Sequence, residues 1–222
     1  MAKTSEKRRE ETRDRIIIAA CELFSKYGYH NTQVMDIVKA VGMSAGTFYN
    51  YFKDKRDLFA QIAHQNLYEL RRRIKKLREP VNIWDHGDRV EKLNASYGAY
   101  FDYISSHRQQ FLMLRGSLGV DEEMDAIIRK HYSDIAQDLA NDIQNWLDIG
   151  IIENLNPLPT AYAVVGMTMH LGDSILLEEK FTRDEAIATL TKMSHLMFES
   201  HLTELGRKAL EETQKNKTEV PG

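Results

Sequence analysis

Apolar residues recur along this chain three or four positions apart, and no stretch alternates in the manner of a strand. The pattern predicts a first helix over Thr12–Tyr27, with Ile16, Ala20, Leu23, Phe24 and Tyr27 on its inward stripe and Gly28 as its stop. In NTQVMDIVKAVG, Val34, Ile37, Val38 and Val41 share one face; Asn31 or Thr32 can cap that helix, and Gly42 breaks it. Met43 plugs the turn, and Ser44 caps a third, short helix, SAGTFYNYF. A fourth runs from Asp54 to Glu79, where Pro80 closes it, and buries Leu58, Phe59, Ile62, Leu70, Ile74 and Leu77.

Beyond Pro80 the same periodicity predicts a second, larger helical domain. One helix spans Asp88–Ser106 with Val90, Leu93, Tyr97, Tyr100, Phe101 and Ile104 inward, and a short one follows over Arg108–Arg115. A long helix, Asp121–Asp148, carries Met124, Ile127, Ile128, His131, Ile135, Leu139, Ile143 and Trp146. After the loop IIENLNPLP comes Thr160–Glu178, then Arg183–Leu205, opened by the capping box of Thr182 with Glu185 and carrying Ile187, Leu190, Met193, Met197 and Leu202. The polar tail from Lys208 is expected to fray. The expected class is therefore all-α. An N-terminal arm and three-helix unit fill 1–54, the helix over 54–79 is shared, a helical ligand-binding and dimerisation domain fills 55–207, and 208–222 form the tail.

Composition narrows the chemistry. With 222 residues, 42% of them hydrophobic, the chain can bury a sizeable core. It lacks an apolar run of the roughly 18 residues a membrane span needs, and MAKTSEKRREETRDR lacks a secretory apolar stretch, so a cytoplasmic protein with no membrane partner is expected. The single cysteine, Cys21, excludes an intramolecular disulfide and a cysteine zinc site; inside the first helix it reads as inert. His170 and Asp173 could share a helix face, but no third ligand has metal-site spacing. Without HExxH, a glycine-rich phosphate loop or a nucleophile motif, no catalytic residue, metal or cofactor is expected, and the chain reads as a non-enzyme.

Charge supplies the first hint of a partner. Residues 1–80 hold 17 Lys and Arg against 10 Asp and Glu, a net of +7; residues 81–222 hold 13 against 23, a net of −10. A basic front half suits a polyanion, and the acidic rear half would be repelled by one. The run Arg71, Arg72, Arg73, Lys75, Lys76, Arg78 begins roughly 24 Å along helix four at 1.5 Å per residue, and reads as a solvated face.

Helices two and three, separated by Gly42 and Met43, have helix-turn-helix spacing. Ala45, Phe48 and Phe52 fall on one side of the third helix as anchors, while Gly46 and Asn50 fall opposite, flanked by Thr47 and Tyr49. Asn50 can pair bidentately with adenine, and Thr47 can reach a phosphate or a thymine methyl. Gly46 permits close backbone approach, and Tyr49, Tyr51, Lys53 and Lys55 can meet phosphates.

The stretch TRDRIIIAACELFSKYGYHNTQVMDIVKAVGMSAGTFYNYFKDKRDLF, with CELFSKYGY, TQVMDIVKAVGMS and GTFYNYFKDKRDL as its most telling pieces, resembles the DNA-binding domain of the TetR family of regulators. The resemblance implies a dimer that binds double-stranded operator DNA, with a ligand-binding helical domain behind the helix-turn-helix. By position it implies DNA contacts from Thr32, Gln33, Gly46, Thr47, Tyr49, Asn50, Tyr51 and Lys55; Met35 and Ala45 also match such positions, but are apolar where polar residues are common.

For the rear domain, aromatic and Met side chains suit an adaptable apolar pocket, with Tyr97, Tyr100, Phe101, Phe111, Met113, Tyr132 and Met167 as candidate walls. His131, His170 and Arg115 could orient one end of a lipophilic ligand. Gly98, Gly166 and Gly172 inside helices leave room for close packing or for a cavity. The expected function is a repressor, homodimeric through its last two helices, that a lipophilic small molecule releases from its operator. The alternative is a DNA-binding adaptor whose rear domain binds a protein and senses no small molecule.

Overall fold

The computed structural model describes residues 2–78, 86–119 and 121–218. Those residues form ten helices and no strand: α1 Ala2–Tyr27, α2 Val34–Val41, α3 Ala45–Tyr49, α4 Lys55–Arg78, α5 His86–Ser106, α6 Arg108–Ser117, α7 Glu122–Asp148, α8 Pro157–Glu178, α9 Arg183–Ser200 and α10 Glu204–Thr218. They group into two compact units that interleave along the sequence, Met1–Glu69 with His107–His131, and Leu70–Ser106 with Tyr132–Gly222.

In the first unit α1 packs on both α2 and α6. Its buried positions, Ile16, Ala19, Ala20, Cys21 and Phe24, span an arc of roughly 200° at 100° per residue, too wide for a single neighbour. The helix-turn-helix covers one part of that arc, and α6, with Phe111, Met113 and Leu114 buried, covers another. A contiguous front domain ending at residue 54 therefore omits α6 and the start of α7, which belong to the same core. Tyr27, expected inward, is 51% exposed. Helix α1 also begins ten residues before Thr12: its first turns carry no apolar stripe, but they are rich in helix-forming charged residues, with Lys7 3.9 Å from Glu11.

The second unit packs α5 against α8 and α9. Two glycines set these crossings. A Cβ on Gly172 would lie 2.7 Å from the Tyr100 hydroxyl and 2.9 Å from Ile104, and one on Gly98 would lie 3.1 Å from Arg183. Both glycines thus serve close helix packing, whereas Gly166 faces open space.

At the far end α9 stops at Ser200, short of the expected Leu205, because the chain turns to bridge Leu202 to Ile152. The Thr203 hydroxyl donates to the Gly150 carbonyl at 2.7 Å, and the Thr203 N–H to Ile151 at 3.0 Å. The segment expected to fray from Lys208 continues α10 instead, anchored by Leu210 in a core with Ala140, Ile143, Ile151, Phe198 and Leu202. Residues 219–222 of the expected tail, and the end of helix four at Glu79 and Pro80, lie outside the described residues. Among those described, no helix is long and apolar enough to cross a membrane.

Candidate DNA-binding surface and ligand cavity

The turn between α2 and α3 is fixed from both sides. Gly42 adopts the left-handed conformation at φ 68°, which lets its N–H reach the Lys39 carbonyl at 3.2 Å and the Met43 N–H reach that of Val38 at 2.9 Å. Arg15 donates to the remaining Val41 carbonyl at 2.7 Å. Ser44 then caps α3, its hydroxyl accepting the Thr47 N–H at 3.2 Å, while Phe48 and Phe52 are fully buried beneath. Upstream, the cap of α2 is Gln33 rather than Asn31 or Thr32; the Asp36 carboxylate accepts the Gln33 N–H at 2.8 Å.

Anchored in this way, α3 presents Gly46, Tyr49 and Asn50 to solvent, with Gln33 and Lys53 exposed beside it. Thr47 and Tyr51 are half-buried. The Thr47 hydroxyl lies 3.0 Å from that of Ser44, and the Tyr51 ring lies 5.9 Å from the guanidinium of Arg9. Arg9 carries no apolar-pattern signal, and only the unforeseen early start of α1 brings it here.

Two expected contacts are placed differently. Thr32 is 1% exposed and its hydroxyl donates to the Gly28 carbonyl at 2.9 Å. The Lys55 ammonium donates to the carbonyls of Tyr29 and Thr32, both at 2.7 Å, and sits 4.2 Å above the Tyr29 ring. Both side chains clasp the loop between α1 and α2, since those carbonyls have no helical partner to accept from.

The second unit contains an apolar cavity of about 160 Å³. Of the ten candidate wall residues, Tyr97, Tyr100 and Tyr132 line it, and Ile135, Leu139, Ile143 and Trp146 of the long-helix stripe line it with them. The other seven lie elsewhere. Phe111, Met113, Arg115 and His131 belong to the first unit, where His131 Nε2 lies 2.8 Å from His64 Nδ1. Phe101 is buried in packing, and Met167 and His170 point away from the cavity on α8. A helical stripe assigns a side chain to an interior without saying which part of that interior is empty.

Arg89, which the sequence reading passed over, is the buried charge on the cavity wall, where Lys92 and Asp142 also stand. It is 4% exposed, with its guanidinium 4.3 Å from the centre of the Phe198 ring and Nη2 3.1 Å from His195 Nδ1. His195 Nε2 lies 3.2 Å from Glu199, whose carboxylate is 3.9 Å from Nη2. Burial pulls the guanidinium pKa down, with Glu199 opposing. Deeper on the wall the Tyr97 and Ser194 hydroxyls pair at 2.6 Å. Among the described residues, no group of three His, Cys, Asp or Glu is placed to hold a metal ion.

Comparison with known proteins agrees with this geometry. The model of the bacterial regulatory proteins of the tetR family matches residues 16–62. The HTH-type transcriptional regulator AcrR of Shigella flexneri is 40% identical over 73 residues, 32% of this chain and 34% of that protein, so the chain spans only about a third of it. YdgC of Bacillus subtilis strain 168, also named as an HTH-type transcriptional regulator, is 26% identical over 171 residues, 75% of this chain and 82% of that one. In fold, the chain is similar to the transcriptional regulator FadR of Bacillus subtilis solved with stearoyl-CoA, with a TM-score of 0.68 at 20% identity over 81% of this chain and 95% of that one. Since the matched stretch runs from α1 through both helices of the helix-turn-helix into α4, the front of the chain carries the DNA-binding domain of the tetR family of bacterial regulatory proteins.

Proposed function

We propose that this regulator is a homodimeric repressor that grips operator DNA through α3 and lets go when a small lipophilic molecule occupies the second unit. The observation that carries the effector reading is the apolar cavity of about 160 Å³ walled by three tyrosines and by the inward stripe of α7. An unfilled apolar space of this size forfeits dispersion contacts and destabilises the free protein, a cost that an occupant removes. The stearoyl-CoA seen with the fold neighbour FadR supports an acyl or comparably apolar occupant.

On the DNA side, Asn50 reads a base edge in the major groove, Gly46 lets the backbone approach, and Tyr49, Thr47, Gln33 and Lys53 contact phosphates. Tyr51 and Arg9 flank the same surface. A dimer sets two copies of α3 about 34 to 36 Å apart, one turn of DNA. Its interface is formed by the outward faces of α8 and α9, where Tyr162, Ala163, Gly166, Met193 and Leu196 are exposed.

The test is a titration of the operator complex with fatty acids, acyl-CoA and aromatic lipophiles, followed by fluorescence anisotropy. Linkage requires effector and operator to weaken each other by the same factor, typically about 5- to 150-fold. Tight binding that leaves operator affinity unchanged would make the molecule a passenger. If no compound binds, the protein-partner adaptor becomes the better reading.

A further inference from the structure

Arg89 is the one side chain whose buried atoms have no hydrogen-bond partner among the described residues: both Nε and Nη1 are left without one. Such a gap is costly, since a buried donor on a charged group carries its full desolvation penalty. The groups around it reach only Nη2. His195 takes Nη2, Phe198 covers one face, and Glu199 at 3.9 Å from Nη2 is beyond hydrogen-bond reach. Nothing in this arrangement requires an arginine for packing alone, because a Met or Leu stem would cover the Phe198 ring without burying charge.

Arg89 lines the cavity together with Tyr97, Ile143, Val164 and Phe198, in walls that are mostly carbon and that Lys92 and Asp142 also reach. From this we infer that the occupant is an apolar carboxylate, with its acid group on Arg89 and its body between Tyr97 and the α7 stripe. The inference rests on the effector reading and makes it specific. A carboxylate matches the gap in two ways. It is acceptor-only, so an oxygen can take a nitrogen that lacks a partner, and it supplies the charge that a guanidinium binds most strongly. An amide or alcohol can offer an acceptor oxygen too, but brings a donor beside it and no charge. The size of the space sets the body: a dry cavity of about 150 Å³ holds benzene, so an aryl or short branched acid of about six to ten carbons fits without rearrangement.

The experiment measures binding of benzoate, phenylacetate, cyclohexanecarboxylate and octanoate to the full-length protein by calorimetry, each beside its primary amide and methyl ester. Palmitate and palmitoyl-CoA form a separate arm. The expected result is at least about tenfold tighter binding of each compact acid than of its amide, as loss of a charge-assisted hydrogen bond implies. In Arg89→Met this preference should fall to about twofold or less, while the neutral compounds bind no worse. Arg89→Lys should keep part of the preference. Equal binding of acid and amide by the unmodified protein would overturn the inference whatever the variants do, and so would a preference that survives in a folded Arg89→Met protein. Neutral lipophiles or palmitoyl-CoA releasing operator DNA with no preference for acids would sink the carboxylate and leave the effector reading standing. Silence from every compound would sink both.

Discussion

Thr32 and Lys55 stand where the family pattern places DNA contacts, yet both commit their polar atoms to carbonyls of the loop between α1 and α2. Exposed Asn50 makes no such commitment, and the two kinds of residue should separate in experiment. Asn50→Ala should lower operator affinity by roughly 5- to 150-fold, the worth of one bidentate base contact, with the urea midpoint unchanged. Lys55→Met should instead cost about 1 to 2 kcal/mol of stability, by orphaning the Thr32 carbonyl and leaving that of Tyr29 with only the turn bond from the Thr32 N–H. Anisotropy and urea titration of both variants would reveal a reversal of these roles. Cys21 offers a different check. Burial pushes its thiol from 9.0 up to about 12, with the charge of Glu22 adding to the effect. Ellman's reagent at pH 8 should therefore label the protein only as it unfolds; rapid labelling of the native protein would contradict the burial. Because the folded thiol keeps its proton longer than the unfolded one, its contribution to stability is intact below pH 9 and declines above it, by up to about 1.4 kcal/mol per pH unit. The inert cysteine was legible in the sequence because a lone small residue inside a predicted helix is enough to place it. The role of Arg89 was not, since a charged residue one turn into a helix looks solvated until its neighbours from α9 are known.

The elements that emerge most clearly from the sequence are those with a strong apolar period and a chemical stop. Helix α2 ends at Gly42 as its sequence implies, and α9 opens on the Thr182–Glu185 capping box, with the Thr182 N–H donated to Glu185 at 2.7 Å. Helix α10 is the counter-example. ELGRKALEETQKNKT contains too few apolar residues to show a stripe, and what holds it is a long-range partner, the turn at Gly150 and Ile151. At Gly206 that partner comes so close that a Cβ would strike the Ile151 carbonyl oxygen. Gly206→Ala is expected to destabilise the second unit by about 2 kcal/mol or more, because a backbone atom cannot step aside as a side-chain tip can. Thermal unfolding should show a lower midpoint; an unchanged one would mean that α10 packs elsewhere. The glycine gives this away only in three dimensions, since in sequence it stands between the expected helix end at Leu205 and the tail from Lys208 and points to no partner.

For the whole molecule, the proposed dimer would rest on α8 and α9, which α10 displaces from being the last two helices. The large apolar side chains exposed on α9 are Met193 and Leu196, at 47% and 53%, whereas Leu190 is 1% exposed and Met197 lines the cavity. Met193→Asp and Leu196→Asp should therefore give folded monomers with weakened operator binding, while Leu190→Asp should unfold the protein. Sedimentation of a folded, unaltered dimer for both surface variants would move the interface elsewhere. The interleaving of the two units has a consequence for how the protein is made. The chain passes from one unit to the other at Glu69–Leu70, again at Ser106–His107 and again at His131–Tyr132. As it leaves the ribosome, the helix-turn-helix is synthesised first but must wait for α6 to cover α1. A nascent chain arrested before residue 107 would carry every DNA-reading residue and still expose the apolar flank of α1, making it a client for chaperones rather than a working DNA-binding domain.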